Sequence, residues 1–235
     1  MQHYTIVSKN ILLCERLFRV LQAYPLVAIS RSSFNAIFKI MKKFVIASNN
    51  PGKLREFRAM FSPLGIEVLT QEQLGIPEAE EPHCTFIENA LAKARHVSKL
   101  SGLPALADDS GICVTALGGA PGVWSARYAG EPRSDTRNNE KLLHEMQGVA
   151  DRRAHYYCVL VLVHHAEDPQ PLIAEGEWHG EIAQEERGEG GFGYDPLFWL
   201  PQFGKMSAEL RPDEKAQISH RALAMQILLQ KLKLE

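Results

Sequence analysis

An apolar run that ends in two adjacent carboxylates restricts the fold more than any other stretch of this chain: Ala105-Leu106-Ala107 leads directly into Asp108-Asp109-Ser110-Gly111. Two charges cannot continue an apolar run into a closed core. The pattern predicts a short strand over 105–107, a turn at Asp108–Gly111 and a continuation over 112–117. In an open α/β sheet, strand ends of this kind deliver metal-binding or proton-accepting groups to the edge where loops and helix N-termini converge. An Asp-rich turn without chemistry uses the same residue types.

A second junction runs from Phe44-Val45-Ile46-Ala47 through Ser48-Asn49-Asn50-Pro51-Gly52-Lys53 into a segment where Leu54, Phe57 and Phe61 recur at helical spacing. The order is strand, loop, helix. Such a loop can offer backbone N–H groups and a helix N-terminus to an anion, with Lys53 beside it as a point charge. It lacks the glycine spacing and the Lys-Ser/Thr pair of a Walker A loop. A phosphate site of another kind and a plain strand–helix connection both remain open.

Two further clusters carry polar groups that their local structure does not require. Gly190-Gly191-Phe192-Gly193-Tyr194-Asp195-Pro196 can approach a flat ligand closely, leaving Phe192 or Tyr194 to cover a ring and Asp195 to meet its polar edge; a hairpin with buried aromatics is the alternative. Lys215-Ala216-Gln217-Ile218-Ser219-His220-Arg221 leads into an amphipathic helix striped by Ile218, Ala222, Met225, Leu229 and Leu232. Cations at a helix start oppose its dipole, so His220 and Arg221 point to an anionic or carbonyl-bearing ligand. Ser219 is placed to be the N-cap.

Elsewhere, Thr85-Phe86-Ile87-Glu88 is a capping-box pattern opening a helix to about Leu100, ended by Gly102 and Pro104. Ser134 or Asp135 caps another, with Leu142, Leu143 and Met146 facing inward. Tyr156–His164 and Leu172–Ala183 read as long strands. Strands alternate with helices early and pair as hairpins later, which predicts a mixed α/β protein.

The charge is nearly balanced, 26 Lys and Arg against 28 Asp and Glu, which argues against a surface that coats nucleic acid. No segment is long and apolar enough to span a membrane. Cys14, Cys84, Cys113 and Cys158 are scattered without metal-ligand spacing and read as reduced thiols of a cytoplasmic protein, Cys113 and Cys158 in the core.

Taken together the motifs resemble the inosine triphosphate pyrophosphatase family. They are Ser48–Lys53 with Glu56, Thr85-Phe86-Ile87-Glu88-Asn89-Ala90, Ala107–Gly111, Gly118-Gly119-Ala120-Pro121-Gly122 with Ser125-Ala126-Arg127-Tyr128, Gly190–Pro196, and Ile218–Arg221. The resemblance covers Met41 to about the C-terminus, so one pyrophosphatase domain is expected over 41–235. Residues 1–40 are expected to be an extension, either an upstream start chosen in place of Met41 or a basic, Ser-containing transit peptide.

The resemblance implies a long, twisted mixed β-sheet flanked by helical lobes around a central cleft. It implies Mg²⁺-dependent hydrolysis of deaminated purine nucleoside triphosphates to the monophosphate and pyrophosphate, by a cytoplasmic homodimer. Asp109 is then metal ligand or base, and Asp108 takes the other role or positions it. Glu80 matches a metal-binding carboxylate, although spacing does not separate it from Glu81. Ser48, Asn49, Asn50, Pro51, Gly52 and Lys53 grip phosphates, Lys215 adds charge there or near the sugar, and Ser110 donates its hydroxyl to the ligand. Phe192 stacks on the base with Gly193 and Tyr194 in the same loop, and Asp195 accepts from ring N1–H. A keto purine offers an acceptor at position 6 where adenine offers a donor, so His220 and Arg221 are the discriminating donors. A pyrophosphatase of the septum-inhibitor type, and a nucleotide-binding protein without catalysis, are the alternatives.

Overall fold

The computed structural model describes residues 44–62 and 68–232; the expected extension over 1–40 lies outside them. Strand β1 (Phe44–Ala47) is followed by helix α1 (Pro51–Phe61), β2 (Val68–Thr70), α2 (Phe86–Ser101), β3 (Ala105–Val114) and α3 (Asp135–Glu145). A hairpin of β4 (Arg153–Val163) and β5 (Leu172–Ile182) comes next, then β6 (Phe198–Leu200), β7 (Lys205–Met206), α4 (Pro212–Ile218) and α5 (His220–Leu232). The strands form one seven-stranded sheet in the order β2-β1-β3-β4-β5-β6-β7. β1 is parallel to both its neighbours and every later pairing is antiparallel. This is the mixed α/β sheet expected from the alternation of periodicities.

Alternation of side chains along the strands sends them to two cores. Phe44 and Ile46 of β1 and Leu106 of β3 pack with Phe57 of α1 and with Met225 and Leu228 of α5. Val45, Ala47, Ala105 and Ala107 face Ala90, Ala94 and Val97 of α2. A third cluster, with Ile112, Leu142, Tyr156, Trp178 and Phe198, fills the far end beneath α3.

The predicted helices form, with Thr85 the expected cap, Ser134 rather than Asp135 the cap of α3, and Asn50 a cap that the strand–loop–helix reading does not name. Asn50 accepts from the Lys53 amide, Thr85 from the Glu88 amide and Ser134 from the Arg137 amide. Two expectations need correction. β3 does not turn at Asp108–Gly111 but runs unbroken from Ala105 to Val114, paired with β4 along its whole length. The β4 ladder satisfies one edge of the strand throughout, Ser125 and Ala120 meet the Ile112 and Val114 amides on the other, and the two aspartates are neutralised by lysine and arginine from both sides of the sheet, so the charges need no turn. Ser219 caps the C-terminal helix as expected, extended in backbone with its hydroxyl accepting from the Ala222 amide, but Ile218 and the residues before it form a separate helix. Lys215 therefore sits in the last turn of α4 rather than ahead of a helix.

Candidate active site

β1 pairs with β3 only as far as Ala47 opposite Ala107, so Asp108 and the residues after it have β4 on one side and no strand on the other. The cleft opens there, under the loop Ser48–Asn50 and the N-terminus of α1. Asn50 caps the helix and the Ser48 hydroxyl accepts from the Asn50 amide at 3.2 Å, while the Asn49 side-chain oxygen is buried without a partner. Pro51 opens the helix, where a missing N–H costs nothing. Gly52 is packed so closely under Phe192 that an added Cβ would lie 2.6 Å from its ring.

Because successive strand residues face opposite ways, the two aspartates enter different environments. Asp108 points to the α5 side. Its Oδ1 receives Lys53 and the Ser110 hydroxyl at 2.9 Å, and its Oδ2 receives Arg221 Nε at 2.8 Å and the Cys158 thiol at 3.1 Å. Burial alone would raise its pKa, but Arg221 and Lys53 outweigh it and hold the carboxyl well below the usual range. Asp108 is a saturated carboxylate that positions cations.

Asp109 points to the α2 side, where Lys93 Nζ meets its Oδ1 at 2.8 Å and Glu81 Oε1 at 2.9 Å. Its Oδ2 is buried and unpartnered. Burial pushes the Asp109 carboxyl up against the pull of Lys93, whereas burial of Lys93 is overcome by Asp109 and Glu81, which keep the ammonium charged. One carboxylate of the pair is thus spent on structure and the other keeps an oxygen for chemistry.

Glu81, not Glu80, is the acid beside Asp109. Glu80 is exposed, while Glu81 is held by Lys93 and by Arg127, whose guanidinium also donates to the Glu81 carbonyl at 3.3 Å. The irregular stretch carrying Glu81 is strapped along one face of α2. His96 meets the Pro77 carbonyl at 3.0 Å, and Asn89 both donates to and accepts from the His83 backbone at 3.1 Å. Lys93 stands in none of the sequence motifs, and Arg127 stands in one without a role assigned to it. Lys93 sits seven residues into a helix whose other positions alternate apolar and polar, and only its buried face distinguishes it from a surface lysine.

The second compartment is aromatic. Asp195 accepts from the Phe192 amide at 2.9 Å, Lys215 at 2.6 Å, Ser207 at 2.9 Å and Tyr156 at 3.4 Å. The expected acceptance from a ring N1–H therefore needs correction: both oxygens of Asp195 already shape the pocket wall. Ser110 likewise gives its hydrogen to Asp108 and accepts from Arg221 Nη2 at 2.9 Å, so it is not a free donor. Lys215 bridges Asp195 and Glu56, the latter at 3.0 Å, with its Nζ 5.0 Å from the centroid of the Phe192 ring.

Gly193 turns with φ +62°, and Tyr194 is buried with its hydroxyl donating to the Ser125 carbonyl at 2.8 Å. His220 stacks on Tyr156 with ring centroids 4.7 Å apart and leaves Nδ1 buried and unpartnered. Burial, then Arg221, push its pKa well below the ordinary value, so its imidazole is neutral. Arg221 is 0 % exposed and bound to Asp108, Glu56 and Ser110, using three of its five N–H groups.

Two cavities result, of about 650 and 540 Å³, and they meet at Asn50, Lys53, Ser110 and Ala126. The first holds Lys53, Lys93, Asp109 and Glu81; the second holds Phe192, Tyr156, Lys215 and Arg221. Among the described residues no three His, Cys, Asp or Glu side chains form a complete metal cage. Glu81 and Asp109 nonetheless offer hard oxygen atoms, one of them without a partner, and Mg²⁺ is commonly held by one or two carboxylates with phosphate oxygens and waters completing the shell.

The model of the Ham1 family matches residues 44–231. The dITP/XTP pyrophosphatase of Ralstonia nicotianae is 64% identical over 197 residues, covering 83% of this chain and 98% of that one. The protein of the same name from Nitrosomonas europaea is 64% identical over 192 residues, 82% of this chain and 95% of that one. Among solved structures, a HAM1 protein from Coxiella burnetii superposes with a TM-score of 0.76 at 45% identity over 82% of this chain and 98% of that one. A nucleoside-triphosphatase / dITP/XTP pyrophosphatase from Mycobacterium abscessus does so with 0.63 at 39% identity, over 79% and 98%.

Proposed function

The chain belongs to the Ham1 family, and from that membership and the site geometry we propose that it hydrolyses dITP/ITP and XTP/dXTP to the nucleoside monophosphate and pyrophosphate. The observation that carries the proposal is the junction of a charged compartment and an aromatic one at Lys53 and Ser110. A triphosphate suits the first and a purine ring the second.

Attack of water at the α-phosphorus needs an acceptor for its proton and a place for the charge that develops on the leaving pyrophosphate. Asp109 serves as the acceptor or as a metal ligand. Its raised proton affinity favours the first role and its free oxygen allows either. The Lys53 ammonium, fixed by Asp108 at the N-terminus of α1, receives phosphate oxygens. Mg²⁺ would be held by Glu81 and Asp109 and would offset phosphate charge there. On the base side, the two unspent N–H groups of Arg221 and the Lys215 ammonium offer donors, which suits a 6-carbonyl and disfavours the amino group of adenine. Phe192 supplies the stacking face. The homodimer rests on the family resemblance, and the unpaired thiols of Cys84, Cys113 and Cys158 suit a reducing cytoplasm.

Hydrolysis of ITP in ¹⁸O-labelled water with Mg²⁺ tests the reaction class. Label in the monophosphate and none in pyrophosphate is the expected result, and orthophosphate as first product would overturn the proposal. The domain proposed over 41–235 has its own test. A protein beginning at Met41 is expected to fold and to turn over ITP as the full chain does, since the family match starts at residue 44. Loss of folding or turnover would place a needed element before Met41.

A further inference from the structure

Helix α3 packs at the far end of the sheet, and Leu142 and Met146 explain its burial. Two of its polar residues do something that packing does not require. Ser134 already caps the helix, yet Asp135, the next residue, extends its carboxylate across the cleft, where Oδ2 accepts the Gly193 amide at 2.7 Å. One turn further on, on the same helix face, Asn139 Nδ2 donates to the Gly193 carbonyl at 3.2 Å. Both backbone polar groups of a single glycine are held by one helix more than fifty residues away in sequence.

That glycine follows Phe192, whose ring packs against Gly52 with Lys215 Nζ 5.0 Å from its centroid and whose amide is tied to Asp195. Gly193 is in the left-handed region with φ +62°, and in that conformation both its backbone groups meet α3. Asp135 also lines the aromatic cavity. The carboxylate therefore stands where it can set how far the Phe192 ring reaches into the pocket.

We propose that Asp135 and Asn139 are positioning residues for purine binding: they clasp Gly193 and so fix the Phe192 ring at the distance a stacked base requires. The proposal rests on the reading that Phe192 stacks on the substrate base. A ring held in place before the ligand arrives loses less freedom on binding, so the clasp acts on affinity for the base and leaves the phosphate compartment alone. Release of the clasp should raise KM for ITP with little change in kcat.

The test compares wild type with Asp135→Ala, Asp135→Asn and Asn139→Ala. Steady-state KM and kcat for ITP are measured beside the inhibition constant of inorganic tripolyphosphate, which occupies only the phosphate side. Asp135→Ala is expected to raise the ITP KM about fivefold with kcat and the tripolyphosphate constant within twofold of wild type. Asp135→Asn retains an acceptor and should recover most of the loss.

Amide hydrogen exchange without ligand supplies a readout independent of turnover. Exchange at Gly193 should speed up in Asp135→Ala and return toward wild type in Asp135→Asn, with residues 48–53 unchanged. An unchanged KM, parallel loss of tripolyphosphate binding, or unchanged exchange at Gly193 would each overturn the clasp. A wild-type protein that does not hydrolyse ITP would instead sink the proposed reaction, while the exchange result would still decide whether the clasp exists. Asp135 is exposed, so its variants should fold; should Asn139→Ala not fold, the two Asp135 variants decide the matter alone.

Discussion

Replacing Asp109 by Asn is expected to lower turnover of ITP by about 10²- to 10⁴-fold at saturating Mg²⁺, the range for loss of a general base. The variant keeps the shape of the side chain and an oxygen for Lys93, and Lys93 retains Glu81 at 2.9 Å, so the ion-pair network does not collapse. What disappears is the unpartnered Oδ2 charge, the one carboxylate oxygen of the aspartate pair that no side chain occupies. Nucleotide affinity should fall much less than kcat, because Lys53 and Phe192 are untouched. Rapid-quench or steady-state kinetics at several Mg²⁺ concentrations separate the two. Near-normal turnover would move the chemistry away from Asp109.

The difference between the two aspartates could not be seen in sequence, although the pair itself could. Adjacent carboxylates after an apolar run suggested a turn, and a turn would have let both face the same solvent-filled edge. Continuation of the strand forces them onto opposite faces, and the cations that then neutralise each come from segments far away in sequence: Lys53 and Arg221 for Asp108, Lys93 for Asp109. Local signals sufficed where the interaction is local. The cap at Thr85, the cap at Ser134 or Asp135, the β4–β5 hairpin and the strand–loop–helix of residues 44–61 all depend on neighbours within a few positions.

Glu81 is chosen over Glu80 by Lys93 and Arg127, and Asp195 is filled by Ser207 and Lys215; no spacing rule brings these together. The Ser219 cap was legible, but the separate helix before it was not: Lys215 reaches Asp195 and Glu56 from that helix while Arg221 reaches Asp108 and Glu56 from the next.

Arg221→Ala is expected to destabilise the protein by about 3 kcal/mol, toward the low end of the cost of breaking a buried ion pair. The substitution leaves two carboxylates without their shared cation, Asp108 at 1 % exposure and Glu56 beside it. Lys53 and Ser110 still serve Asp108, and Lys215 still serves Glu56, which keeps the cost from being larger. For a chain of this length the loss corresponds to a fall in Tm of roughly 6 to 12 °C.

The pH dependence supplies the sign. Burial would raise the Glu56 pKa, but Arg221, then Lys215, bring it down from its ordinary value near 4.5 to about 2. A lowered folded-state pKa stabilises the fold above pH 4.5, and that contribution fades as pH falls toward 2. Without Arg221 the depression shrinks, so the stability gap between wild type and variant should be widest near neutrality and close as the pH drops through that window.

Urea denaturation from pH 7 down to pH 3 reads the gap directly. Equal stability at pH 7, or a gap that does not narrow in acid, would refute the ion-pair role. A variant as stable as wild type that turns over ITP and ATP more nearly alike would assign the guanidinium to the base instead. Either result follows from the same fact: a fully buried arginine with three N–H groups committed to neighbouring side chains has only two left with which to recognise a substrate.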